Sequence, residues 1–188
     1  DPSEKVVAER SAPVQVSPRT QIARPWSYRS SFNTNSPGLL PLARGDQLWN
    51  LKRYAEAEKE FERAVAESQG ERPLARWKLG ESYIRSGKAD QAMEMFAPLE
   101  ADFPRQFEVI AGLGYAHYLK GVFDKAVDYL TRAMQIRPAD TTLLNALGES
   151  FMQIGDRERA KEALERSLSM NPDQEAVKEL LAKVEQSK

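Results

Sequence analysis

From residue 38 onward the apolar positions of the chain return at a fixed long interval. Leu-Gly pairs stand at Leu79–Gly80, Leu113–Gly114 and Leu147–Gly148, 34 residues apart each time. A further glycine follows each pair seven residues later, at Gly87, Gly121 and Gly155, where a first helix would end on a left-handed residue. Five residues on comes an alanine (Ala92, Ala126, Ala160), and four later a bulky apolar residue (Phe96, Leu130, Leu164). Eight beyond that is a proline (Pro104, Pro138, Pro172). The alanine lets two helices approach, the bulky residue fills the space beside it, and the proline stops the second helix. The unit predicted is a helix–turn–helix pair, repeated along the chain.

The spacing and residue types resemble the tetratricopeptide repeat family over residues 38–172. The first copy is degenerate. Gly45, Tyr54, Ala57, Phe61 and Ala64 fit, whereas Lys52 replaces the turn glycine and Gln69 stands in place of the closing proline. One extra residue near Arg72 separates it from the second copy, and Gly70 is expected to end the helix as a C-cap glycine. In the second copy Arg76 takes a position usually held by a bulky apolar residue. Either its stem snorkels outward or the helix rotates to bury Trp77.

The resemblance implies an all-α, right-handed superhelical solenoid of about four helix pairs, with boundaries at 38–72, 73–106, 107–140 and 141–172. After Pro172, residues 173–188 read as a capping helix with Ala176, Val177, Leu180, Leu181 and Val184 on one face. A stacked repeat needs such a cap because its last unit would otherwise present an apolar face to water.

Composition narrows the function. With 41% hydrophobic and 29% charged residues, the chain has the make-up of a soluble globular protein. Its 27 basic and 28 acidic residues nearly cancel, so no overall field favours nucleic acid or an anionic membrane. No apolar run reaches the length needed to cross a bilayer. Cysteine is absent, which excludes disulfides and thiolate metal sites. His117 is the only histidine and falls where the family places a packing aromatic, so a core or inter-helix role is expected. Histidine-based metal sites, a Ser-His-Asp triad and a cysteine nucleophile each lack parts. The "GLG" at 112–114 and the "SGKAD" around Gly87 lack the glycines and context of phosphate loops. No enzyme activity and no cofactor are therefore expected.

The resemblance implies that the first helix of every pair lines an inner surface for partner segments. By register that face holds Leu42, Asp46, Trp49 and Asn50; Trp77, Glu81, Ile84 and Arg85; Glu108, Ala111, Tyr115, Tyr118 and Leu119; and Thr142, Asn145, Glu149, Met152 and Gln153. Aromatic residues beside carboxylates suit an apolar, basic peptide, by buried area, hydrogen bonding and cation–π contact. Family members that clamp acidic C-terminal tails use an inner set of Lys, Asn and Arg. Leu42, Asp46, Glu108 and Gly112 stand at such places here, so that clamp is absent.

Residues 1–37 differ in kind, with Pro2, Pro13, Pro18, Pro25 and Pro37 and many Ser, Thr and Asn, the composition of an extended tether. Within it "QIARPWSYRSSF", residues 21–32, carries Arg24, Trp26, Tyr28 and Phe32. One expectation is that residues near 14–32 of this basic N-terminal segment dock on a repeat surface, of their own chain, a second copy or a larger complex, with Trp26, Tyr28 or Phe32 as anchors, making the protein a self-associating or anchoring subunit. The other is a linker to a removed anchor. A start at Asp1, the absence of Cys and the tether-like beginning favour an exported, periplasmic bacterial protein over a cytoplasmic one.

Overall fold

The structure, a computed structural model, describes residues 36–186. Among the described residues there are nine α-helices and no strand. They run α1 Leu39–Asn50, α2 Tyr54–Glu67, α3 Pro73–Arg85, α4 Ala89–Asp102, α5 Phe107–Leu119, α6 Phe123–Ile136, α7 Thr141–Gln153, α8 Arg157–Met170 and α9 Glu175–Gln186. Consecutive helices pack as antiparallel neighbours. The first helices of successive pairs also touch, α3 on α5, α5 on α7 and α7 on α9.

Local chemistry sets the ends of these helices. α7 starts on Asp140, whose carboxylate accepts the Leu143 amide at 2.9 Å, and α8 starts on Asp156, which accepts the Arg159 amide at 3.1 Å. α3 has Pro73 in its first turn, where a missing N–H costs nothing. The first helices close in one way throughout. In the second pair, Gly87 at φ 72° donates to Ile84 O and the next amide, Lys88, donates to Tyr83 O at 2.8 Å. The same two bonds form in the first pair around Lys52, at φ 60°. The degenerate copy thus keeps the turn and bears the strain of a β-carbon in a left-handed conformation.

α2 ends on two left-handed residues in succession, the expected Gly70 at φ 74° and, before it, Gln69 at φ 51°; Gln69 donates to Ala66 O at 3.0 Å and Gly70 to Val65 O at 2.8 Å. The carbonyl of Gly70 then accepts Arg76 Nε at 2.6 Å. That bond resolves the Arg76 alternatives: its side chain folds back onto the preceding turn, and Trp77 stays half-buried. The second helices α4, α6 and α8 each stop two residues before Pro104, Pro138 and Pro172. α4 contains a further proline, Pro98, which the helix carries on its exposed side, where water can reach the Glu94 carbonyl left without a donor.

Each second helix is pressed against its partner at a glycine. A β-carbon on Gly45 would lie 2.4 Å from the Phe61 ring, one on Gly80 2.6 Å from Phe96, and ones on Gly114 and Gly148 2.6 Å from Leu130 and Leu164. Phe96 also meets Gly112 of α5, where a β-carbon would be 2.5 Å away. One ring therefore fills notches in two first helices and joins the second pair to the third. Phe61, Phe96, Leu130 and Leu164 are all buried, each contributing on the order of 2–3 kcal/mol of apolar transfer.

α9 closes the stack with Val177 and Val184 buried and Leu180 and Leu181 half-buried. Ala176, expected on that face, is exposed, because it falls one position outside the three-to-four spacing that the two valines define. At the other end, α1 exposes Leu40, Arg44 and Gln47. The register equivalents in α7, Leu143, Leu147 and Ser150, are buried against the preceding pair.

Two stability outcomes follow from this packing. Gly80→Ala and Gly112→Ala should each destabilise the fold by about 1–3 kcal/mol despite alanine's better helix propensity, as measured by urea unfolding. Lys52→Gly should raise stability by about 1 kcal/mol in the same assay, since glycine adopts the left-handed turn without a β-carbon clash.

Candidate functional site

The first helices carry three parallel rows at matching register. Asp46, Glu81, Tyr115 and Glu149 form one row, and Trp49, Ile84, Tyr118 and Met152 the next; all eight are half-buried. Asn50, Arg85, Leu119 and Gln153 form the third, and all four are exposed. The aromatics are thus neither lost in the interior nor free in solvent. Each rests on a neighbour and leaves part of its surface open.

Trp49 is held edge-on by Tyr54 of α2, centroids 5.0 Å apart, with Phe61 at 6.3 Å. The Arg85 guanidinium lies 3.5 Å over the other partner in that stack, Tyr54, so an exposed cation is fixed beside Trp49. Tyr118 packs on Phe123 at 6.3 Å and donates its hydroxyl to Glu149 of the next pair at 2.5 Å. Burial first, and then that bond to a carboxylate, push the Tyr118 phenol up to about 12. Tyr115 is raised as well, mainly by burial and next by the Asp140 charge.

The carboxylates are largely engaged. Lys78 sits between two of them, its Nζ 4.0 Å from Asp46 and 3.4 Å from Glu81. Glu108 receives Arg137 at 3.5 Å, and Arg137 in turn stacks 3.5 Å over Phe107. The rows still hold more carboxylates than cations, because one lysine serves two of them. Sequence reasoning passed over Lys78, Tyr54 and Arg137. The signal available was their separation from Asp46, Arg85 and Glu108 by roughly one repeat, which brings residues of successive pairs side by side.

One expected row does not form. Leu42 is 0% exposed and belongs to the core, and Ala111 at the same register is also buried. Asn145, a third member, is committed to structure: Nδ2 donates to Gln174 at 2.9 Å and Oδ1 accepts Ser167 Oγ at 2.6 Å. This register faces the joint between successive pairs and not the open side. Trp77, the fourth, stays half-buried with the Lys78 ammonium 4.2 Å from its ring. Arg24, Trp26, Tyr28 and Phe32, and the docking expected of them, lie outside the described residues.

His117 is buried and stacked on Tyr129, centroids 5.4 Å apart and planes 15° from parallel, a packing position. Among the described residues no group of three or more His, Cys, Asp or Glu is placed to hold a metal ion, and no helix is long and apolar enough to cross a membrane.

Helix pairs, turn chemistry and glycine notches define a repeat solenoid. The tetratricopeptide repeat family profile matches residues 48–113 and 118–184, and the chain belongs to that family. A tetratricopeptide protein of Thermus thermophilus superposes with a TM-score of 0.61 at 26% identity, covering 78% of this chain and 80% of that one. MamA (MSR-1) gives 0.67 at 21% identity, over 78% of this chain and 84% of that one, a likeness of fold.

Sequence relatives match over shorter stretches. The peroxisomal targeting signal receptor of Candida albicans is 37% identical over 65 residues, 35% of this chain and 11% of that protein. BBSome complex member BBS4 of Bos taurus is 37% identical over 60 residues, 32% of this chain and 12% of its own length. Cellulose synthase operon protein C of Escherichia coli K12 is 37% identical over 59 residues, 31% of this chain and 5% of its own. The chain therefore spans 12% or less of these relatives where they match.

The Tyr118–Glu149 tie has a pH signature. A phenol raised in the fold stabilises it below its unfolded value near 10, and that contribution is lost as pH climbs toward 12. Tyr118→Phe should cost about 1 kcal/mol at pH 8 and should flatten the alkaline loss between about pH 10 and 12, followed by helical circular dichroism during urea unfolding.

Proposed function

We propose that the protein is a non-enzymatic interaction scaffold that takes a partner segment along the inner face of its first helices, with a preference for apolar and basic side chains. The fold is that of protein-interaction scaffolds. The observation supporting the finer reading is the row Trp49, Ile84, Tyr118 and Met152, a half-buried apolar strip bordered by the Asp46, Glu81, Tyr115 and Glu149 row. Large side chains already braced by neighbours lose little freedom on binding, so covering their open surfaces yields affinity at small entropic cost. Excess carboxylate beside the strip draws basic groups, while Lys78 and Arg137 keep that attraction moderate.

An interaction role accords with two of the sequence relatives, one a targeting signal receptor and another a member of a complex. For this chain the ligand is defined by chemistry: an extended or helical peptide with two or more apolar anchors and a nearby Lys or Arg.

Peptides selected from a random library on the intact chain should be enriched in such sequences. Trp49→Ala and Ile84→Ser should each weaken their binding about tenfold or more, corresponding to hot-spot losses above 1 kcal/mol. Affinity measured by calorimetry should fall moderately between about 0.05 and 0.5 M salt. Unchanged binding in both variants, with the fold retained by circular dichroism, would contradict the assignment.

A further inference from the structure

At one register of the first helices the chain places Leu48, Tyr83, His117 and Phe151. Three are aliphatic or aromatic, and the third pair alone carries a titratable ring there that changes charge near neutral pH. His117 is 7% exposed. Its ring stacks on Tyr129 of α6, whose hydroxyl donates to Glu100 of α4 at 3.0 Å. Arg132 of α6 donates to the same carboxylate at 3.0 Å. The imidazole therefore lies on the polar tie that binds the third pair to the second.

Its Nδ1 is buried without a hydrogen-bond partner. Whichever nitrogen bears the proton in the neutral ring, adding the second one makes both nitrogens donors and leaves Nδ1–H facing no acceptor. The charged groups acting on the ring are Lys125 of α6 and Lys120 just beyond α5, which oppose protonation, and Glu100 of α4, which favours it. Glu100 is already shared between Tyr129 and Arg132, so it has little capacity left for a third donor.

We propose that His117 makes the joint between the second and third helix pairs an acid-sensitive hinge, which loosens when the imidazole takes up a proton while the other joints hold. In the closed joint the ring is neutral and packs as the tyrosine and phenylalanine of the flanking pairs do. Acid forces a choice between burying a cation whose Nδ1–H has no acceptor and separating α5 from its α4 and α6 neighbours. Opening hydrates the imidazolium and releases Tyr129 from its stacking partner. Burial, with the two lysines next, lowers the His117 pKa in the fold. The sign is then fixed: stability from the neutral ring is present above the unfolded value of about 6.5 and is lost as pH falls through the lower folded value.

As the chain has one histidine, its NMR titration in the intact protein needs no assignment. The midpoint is expected below about 6.5. Hydrogen exchange, corrected for intrinsic rates, should show opening of α4–α6 rising about tenfold for each pH unit below that unfolded value until the folded midpoint is passed, with α1 and α8 unchanged. His117→Phe, which copies Phe151, should abolish the acid-dependent part. His117→Gln, neutral and smaller, should do the same if phenylalanine overpacks the site. A midpoint at or above about 6.5, or an equal acid response in wild type and both variants, would overturn the proposal.

Discussion

Everything in this solenoid depends on how near each second helix can come to its first. A glycine on the first helix leaves a notch, and a Phe or Leu from the second fills it: Gly45 with Phe61, Gly80 with Phe96, Gly114 with Leu130, Gly148 with Leu164. Mid-helix glycine costs about 1 kcal/mol against alanine, a loss offset by the burial it permits. The notch fixes the separation and rotation of the two helices, and repetition of that geometry keeps the rows of the first helices in line. Phe96, seated against both Gly80 and Gly112, carries the constraint from one pair into the next.

Polar ties follow the same path between pairs. Glu58 of α2, nearly buried, accepts Lys88 at 2.5 Å and Ser86 at 2.7 Å. Glu100 of α4 gathers Tyr129 and Arg132, and Tyr118 reaches Glu149. Exposed ion pairs contribute little to stability, but a buried carboxylate such as Glu58 left without its donors is costly, so that tie helps hold successive pairs in register. The tie at Glu100 passes beneath the His117–Tyr129 stack.

The periodic part of this organisation was legible in the sequence, since a 34-residue return of Leu-Gly, Gly, Ala, bulky residue and Pro can be met by only a few architectures. Register predicted the rows of Asp46 and Trp49 because their neighbours in later pairs sit one repeat away. It failed for Leu42, Ala111 and Asn145, whose position turns toward the joint between pairs; helix periodicity places a residue on a side but does not say what covers that side. Gln69 shows a second limit: Gly70 marks the end of α2 in the sequence, but nothing there signals that the non-glycine residue before it also takes a left-handed φ. Lys78 was legible only in part: Glu81 lies three residues on along its own helix and Asp46 about one repeat back, but that the lysine sits between both is set by how α1 and α3 stack.

The proposed partner face rests on a coupling between stacking and surface: the side chains of its two half-buried rows are braced by neighbours and keep part of their surface open. The measurement that tests this most directly is site-specific photo-crosslinking in extracts of the native host. A photoreactive residue would be placed in turn at exposed first-helix positions, Arg85, Leu119 and Gln153, and at exposed second-helix positions, Ala66, Thr131 and Glu165. The account predicts defined adducts from the first set and none from the second. Adducts from the second-helix positions alone, or from both sets alike, would contradict it.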